Sequence, residues 1–408
     1  MSIKKILNHK FLNILTIYKK TKSASALDDL SIGQAMRLIQ DYNFPASAEE
    51  AENIFVVVIP EYNMMSGGVY SLFSIARAVY KLRFKHNYEV LLMTRPNKRR
   101  STYIRQKHFR TDIDVFRLEQ IVRCQRAKTV YLHIAEYMIP DIVARLNNET
   151  LNYLKSRTQL FVNILNQNID LMPEPDKLSD LRMLCEQLTQ SVAHHAYFSQ
   201  SVADKYNTPL LLLPAYTDLS NYPSIPVDKK QKLIIYSPDA ASWKKALLKR
   251  LVKELPDYEL REIRGITFDK FMDLATICRY SITFGEGFDG YLAQPVYQGG
   301  VGFAIYNERF FPSDSMRGFI NIFESEDDIL SNIINRIREM DKDLDLYKET
   351  NKKMMDVYNR LYSWQGYLLS IEALIKRDFE IMPSCSNGSN KPPVDDKKIR
   401  QFCFWNNF

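Results

Sequence analysis

One stretch limits what this chain can fold into more than any other: residues 284–307, FGEGFDGYLAQPVYQGGVGFAIYN. Residues 281–284 close a short apolar strand. Residues 285–290 form a turn with three glycines and the carboxylates Glu286 and Asp289. Residues 291–298 supply about two helical turns, Gly299-Gly300 offers the left-handed stop, and 301–305 is the next strand. A glycine-rich strand-to-helix turn aims backbone N–H groups at a helix N-terminus, where a phosphate can sit. A carboxylate in that turn suits sugar hydroxyls, so the pair of features describes a nucleotide-sugar site. The alternative is an ordinary α/β crossover whose glycines serve only the turn.

The chain has 408 residues, which predicts two domains with appendages. It is 46% hydrophobic and 25% charged, the balance of a globular protein. No apolar run approaches the roughly 18 residues of a membrane span, and no secretory signal is read at the N-terminus. Cys124, Cys185, Cys278, Cys385 and Cys403 are scattered without metal-ligand spacing. This argues against a disulfide framework or structural zinc and suits a cytoplasmic protein. A net charge of +7 favours phosphate-bearing ligands or anionic lipid faces without specifying nucleic acid.

Residues 1–26 carry six lysines and no acid, with Ile3, Leu7, Phe11, Ile14 and Tyr18 on one helical face. Such a helix either packs on its own domain or lies on an anionic membrane. A break is expected at 23–26 and a second short helix over 28–41. Residues 54–60 read as a buried parallel strand stopped by proline. Ser66, Gly67 and Gly68 then lead into a helix over 69–82, and 88–94 is the next strand, opening a doubly wound domain without the dinucleotide fingerprint. The basic run 95–110 reads as a solvated loop and helix face. Strand 129–134 ends near His133 and Glu136, where ligands of open α/β sheets bind. Strand 160–165 leads into a cleft-side loop with Asn168 and Asp170. Residues 178–190 read as helix, 196–199 as strand, and His194 and His195 as packing or surface residues. Residues 210–213 end this half, and the prolines of 214–227 mark a linker.

The second half repeats the pattern: strand 232–237, helix 246–255, strand 258–263, helix 267–277, then the glycine-rich turn. The loop after the first strand carries Ser237, Lys244 and Lys245. Residues 346–377 are largely helical, 383–398 weakly ordered, and 402–408 aromatic. Asp112-x-Asp114 and Asp341-x-Asp343-x-Asp345 lack the strand-end context of a metal motif.

The central stretch resembles the donor motif of family-4-like retaining GT-B glycosyltransferases, in which a Glu-Gly-Phe-Gly turn precedes a second glutamate after seven intervening residues. Glu286-Gly287-Phe288 matches it; Asp289 stands in place of the last glycine and Gln294 in place of the second glutamate. The resemblance spans residues 54–377. It implies an α/β GT-B fold, two Rossmann-like doubly wound domains facing a cleft, with an N-terminal helical extension. The implied organisation is a basic extension over 1–50, an acceptor domain over 51–215, a nucleotide-sugar domain over 216–360, a returning helix over 361–380, and a tail over 381–408.

It further implies a hexosyltransferase acting with retention. Glu286 and His133 would be catalytic. Gly67, Gly68, Ser237, Lys244, Lys245, Gly287, Phe288, Asp289, Gly290, Tyr291 and Gln294 would bind the donor, with either lysine on the pyrophosphate. Ser66 and Glu136 would lie on the acceptor side. The co-substrate is expected to be a UDP- or TDP-linked sugar, with no metal or other cofactor and no nucleic acid. The acceptor is expected to be a glycan or lipid-linked glycan in bacterial polysaccharide assembly at the inner membrane face. Gln294, uncharged where the family has an acid, keeps open a non-catalytic binding subunit. A GT-B-type epimerase would need His133 and Glu136 to move protons.

Overall fold

The computed structural model describes residues 24–97, 102–109, 111–219 and 222–384. The basic segment 1–22 and the tail 385–408 lie outside the described residues, as do Lys98, Arg99, Arg100 and Arg110.

Residues 54–59 have no exposed surface. A strand of this kind needs neighbours on both edges and cover on both faces. As β1 (Asn53–Ile59) it pairs in parallel with β2 (Glu89–Thr94) and β4 (Thr129–Ala135). The sheet continues through β3 (Val115–Arg117) on one side. On the other lie β5 (Gln159–Asn166), β6 (Gln187–Val192) and β7 (Leu210–Leu212). The seven strands run in the order 3-2-1-4-5-6-7, all parallel.

Helix α1 (Ala24–Asn43) begins inside the break expected at 23–26 and covers the edge strand β3. The buried Gln40 donates to the Val115 carbonyl at 2.8 Å and accepts from Arg117 at 2.9 Å, so the free edge is satisfied rather than left to pair. Helix α2 (Gly67–Lys81) follows β1, with Leu72, Ile75, Ala76 and Val79 buried, as the spacing predicts.

A second sheet holds β8 (Gln231–Tyr236), β9 (Glu259–Glu262), β10 (Cys278–Ile282), β11 (Val301–Ile305) and β12 (Ile322–Phe323), in the order 12-11-10-8-9, again all parallel. Its crossovers are α3 (Lys244–Glu254), α4 (Phe268–Ile277) and α5 (Gly290–Tyr297). Helices α6 (Glu326–Lys342) and α7 (Leu344–Leu361) pack against this half, and α8 (Trp364–Lys376) returns to the first sheet. There Ile371 and Leu374 are fully buried, and the Leu374 carbonyl accepts from Tyr131 Oη at 3.3 Å.

Two sequence expectations fail in the same region. Residues 178–190 split into a short helix (Ser179–Leu184) and strand β6, and 196–199 is a turn before a helix rather than a strand. The strand is masked because its buried positions are polar. Asn163 and Ser191 bond at 2.9 Å, Asn163 and Thr189 at 3.0 Å, and Asn166 and Gln190 at 3.0 Å. A satisfied polar ladder removes the apolar signature of a central strand. The run at 95–110 also differs. Its described residues contain no helix, and Thr102, Tyr103, Gln106 and Phe109 are buried.

In the first sheet the order reverses between β1 and β4, and in the second between β8 and β10. Loops leave such a switch point in opposite directions and open a crevice at the carboxyl ends of the strands. The β1 and β4 ends carry Ser66 and Glu136. The β8 and β10 ends carry Asp239 and Glu286.

Candidate functional site

From the first sheet, Ser66 caps α2, accepting from the Val69 N–H at 3.2 Å. Gly67 is exposed at this corner. Gly68 lies against the Gln167 side chain, and a Cβ there would stand 2.8 Å from Gln167 Oε1 and displace that amide. Gln167 in turn donates to the Gly68 carbonyl at 3.1 Å, tying the loop after β5 to the helix.

Glu136 leaves the end of β4 and is 1% exposed. One carboxylate oxygen accepts from the Asn168 backbone N–H at 3.1 Å, and the other has no partner. Burial pushes its carboxyl up to about 7. The Asn168 side chain reaches across the cleft and donates to Glu286 Oε1 at 2.8 Å. Glu286 is also pushed up to about 7, first by burial and then by the charges of Asp289 and Asp239. Beside it Arg309 pairs with Asp170, so a second polar contact links the two halves. Tyr197 lies close enough to feel Glu286, Arg309 and Asp170, with its hydroxyl buried and unpartnered.

The turn itself is shaped by steric demand. Gly287 has φ +86°, and a Cβ there would meet the Ile305 carbonyl at 2.6 Å and the Phe311 ring at 2.9 Å. Gly285 faces Asp239, whose carboxylate would lie 2.8 Å from an added Cβ. Asp289 is the N-cap of α5. Its Oδ1 accepts from the N–H groups of Tyr291 at 2.8 Å and Leu292 at 3.1 Å, and its Oδ2 accepts from Thr283 Oγ1.

Several residues expected on the donor therefore serve the fold. Asp289 is consumed by its own helix. Phe288 is buried, stacked 5.3 Å from Tyr358 and 5.7 Å from Tyr362. Ser237 is fully buried and accepts from the Phe284 N–H at 2.9 Å. Lys244 spends its ammonium on the Ser237 carbonyl, the Asp239 carbonyl and Glu262, at 2.8, 3.0 and 3.0 Å. Lys245, the next residue of α3, is exposed.

His133 is the clearest correction. It lies within β4 rather than at its mouth, has no exposed surface, and stacks 6.2 Å from the buried Phe55. Burial pushes it down to about 4, so the ring is neutral and out of reach of an acceptor. We assign it no proton-transfer role. Of His194 and His195, His194 packs against Phe310 at 5.3 Å, consistent with a packing residue.

What the structure does bring together is Ser66, Gly68, Glu136 and Glu286, with Gly290, Tyr291 and Gln294 on the adjoining helix α5. Tyr291 rests 5.5 Å from Phe271. A Cβ on Gly290 would come within 2.5 Å of Gln294 Oε1. Gln294 donates to Thr217 Oγ1 at 3.3 Å, on the connection between the sheets, while its own Oε1 is buried without a partner. Asn168, Asp239 and Arg309 were legible only as loop residues, and Arg264 carried no sequence signal at all. Arg264, next to the Lys244–Glu262 pair, bonds Glu262 at 2.9 Å and the Pro238 carbonyl at 2.8 Å. Among the described residues, no group of three or more His, Cys, Asp or Glu is placed to hold a metal ion. Among those residues, too, no helix is long and apolar enough to cross a membrane.

No family model and no curated protein matches this sequence. Solved structures do match the fold. Sucrose-phosphate synthase (tll1590) from Thermosynechococcus elongatus superposes with a TM-score of 0.51 at 9% identity, over 80% of this chain and 98% of that one. The fold is GT-B. A glycosyltransferase from Rickettsia africae ESF-5 matches with a TM-score of 0.49 at 10% identity, over 80% and 98% of the two chains. Anabaena Alr3699/HepE in complex with UDP-glucose matches with a TM-score of 0.47 at 12% identity, over 80% and 99%. In the GT-B frame of this chain, the two switch points face each other, and the Asn168–Glu286 contact crosses between them.

Proposed function

We propose that this chain is a glycosyltransferase that takes its sugar from a nucleotide-linked donor and passes it, with retention, to a glycan or lipid-linked glycan acceptor. The observation that carries the reading is the position of Glu286. It stands at the carboxyl end of β10, at the switch point of the second sheet, facing the first sheet through Asn168. A carboxylate held there by a single side-chain amide exchanges that amide for a sugar hydroxyl at little cost, since both are neutral donors. Retention then follows by front-face attack, with the departing phosphate taking the acceptor proton. No side-chain nucleophile is required.

Charge on the leaving diphosphate is the main electrostatic demand of the step. With Lys244 and Arg264 both engaged by Glu262, the exposed Lys245 is the cation on this wall that we assign to it. No metal is required in this reading. A role in bacterial surface polysaccharide assembly, at the cytoplasmic face of the membrane, belongs to the same proposal and rests on the basic character of residues 1–22.

One observation favours a second reading. Asp289 occupies N–H groups at the start of α5 and places a carboxylate where a phosphate would sit. Together with Gln294, this suits a GT-B-like subunit that binds a glycan or a partner without turnover.

The deciding experiment is a thermal-shift panel of UDP, TDP, GDP, ADP and their common sugar conjugates, since a bound ligand raises stability by mass action. The transferase reading expects stabilisation by one nucleotide family, with the sugar-dependent part lost in Glu286→Gln. Absence of any shift overturns it in favour of the binding subunit.

A further inference from the structure

A surface far from the cleft has a composition that the donor site does not use. From residue 62 to residue 88 there is no aspartate or glutamate, while Arg77, Lys81, Arg83 and Lys85 fall within nine residues. They gather at the C-terminal end of α2 and the turn after it, interleaved with aromatic side chains in solvent. Phe84 is 86% exposed and Tyr80 46%. The Arg83 guanidinium lies between them, 4.2 Å from the Tyr80 ring and 4.7 Å from the Phe84 ring. Beside them α8 contributes Trp364, with the Lys81 ammonium 4.9 Å from its ring, and Leu369, which is 50% exposed. The acid in contact with this patch is Glu372, and it is shared by Lys85 at 2.8 Å and Lys376 at 2.6 Å, so the trio stays net positive.

We propose that Tyr80, Arg83, Phe84 and the adjoining face of α8 dock this protein on an anionic lipid bilayer. Aromatic rings with cations between them match the headgroup zone of a membrane, where the ring enters the acyl boundary and the cation meets phosphate. A second copy of this chain is a poor occupant, because a self-facing patch sets like charges against each other. Anionic lipid supplies the complementary sign over a wide area, and each Lys or Arg near it adds about a fivefold gain in binding. Helix α2 has 15 residues, so about 22 Å separates the patch from Gly67 at the cleft, and docking leaves the cleft open. The surface is independent of the donor reading and distinct from residues 1–22.

The test is co-sedimentation of the full chain with phosphatidylcholine vesicles, with and without phosphatidylglycerol. Binding is expected only with phosphatidylglycerol and is weakened by salt. Arg83→Ser is expected to cost about fivefold, and the double variant Tyr80→Ser, Phe84→Ser tenfold or more. All melt like the parent, because these side chains stand in solvent. In a Phe84→Trp variant, the fluorescence that this substitution adds is expected to shift to the blue and to be quenched by brominated lipid. Failure of the parent to sediment with phosphatidylglycerol overturns the proposal and leaves an acidic protein as the occupant. Unchanged binding by the double variant, or an unquenched Phe84→Trp signal, also overturns it and assigns binding to another segment.

Discussion

Asn168 donates its side-chain amide to Glu286 at 2.8 Å, and its own backbone N–H is held by Glu136 at 3.1 Å. One residue thus connects a carboxyl group from the first sheet to a carboxyl group from the second. Neither acid has a cation bonded to it among the described residues, and each is pushed up to about 7. The cleft wall is therefore lined by two largely buried acids joined through a neutral amide, unlike a conventional ion-paired wall.

Two polar contacts, Asn168–Glu286 and Asp170–Arg309, join the halves beside Glu286. The double variant Asn168→Ala, Arg309→Ala is expected to open the cleft. Small-angle scattering checks this as an increased radius of gyration in the absence of ligand. The aromatic contact of Tyr70 with Phe268, 4.7 Å apart on α2 and α4, is expected to keep the halves from separating fully.

The pH dependence of stability has a defined sign. Glu136 and Glu286 bind their protons more tightly folded than unfolded, so their contribution is full below the unfolded value near 4.5 and is lost as pH rises through 7. The buried His133, His194 and His195, each pushed down to about 4, act in the opposite direction, and their gain is complete only about one unit above the unfolded histidine value near 6.5. Between pH 6.5 and 8 each glutamate is expected to remove about 0.8 kcal/mol and each of the three histidines to return about half as much, so the net change in the parent is small. Glu136→Gln removes one falling contribution and is expected to make stability rise between pH 6.5 and 8, by about 0.8 kcal/mol relative to the parent, measured by urea unfolding at the two pH values.

Substitution of Asp289 distinguishes a helix cap from a phosphate site at the start of α5. Asp289→Ala is expected to lower stability by about 1 kcal/mol through the lost cap. It also frees the Tyr291 and Leu292 N–H groups and removes a carboxylate from the helix start. If a diphosphate binds at α5, its affinity in titration calorimetry should rise in this variant. An affinity that falls places the diphosphate elsewhere.

The adjacent lysines are expected to part company. Lys244→Ala leaves two carbonyls and Glu262 without their ammonium and should destabilise by about 2 kcal/mol. Lys245→Ala, at an exposed position, is expected to leave melting unchanged and to weaken nucleotide binding alone. Melting and nucleotide titration on the two variants check both halves of the statement.

Much of this architecture was legible in the chain. The apolar runs at 54–59, 129–135 and 301–305 have no stable home outside a covered parallel sheet, and Gly287 demands a backbone that few other residues adopt. Glu286 could be singled out because its neighbours in sequence are also its neighbours in the turn. The partners of these residues were not legible. Nothing local says that Lys244 turns onto Glu262, 18 positions along, or that Asn168 reaches Glu286, 118 positions away. His133 looked available because it lies near the end of its strand, but it is in register with Val57 and Asn163 inside the sheet and stacks on the buried Phe55, which together remove it from water. By itself the sequence determined the alternation of strand and helix and the place of the glycine-rich turn, because hydrophobic burial and backbone sterics act over a few residues. Tertiary structure decided which charges are spent, which cap a helix and which are buried without a counter-charge. Those outcomes depend on desolvation and on distances across the fold, and no local pattern encodes either.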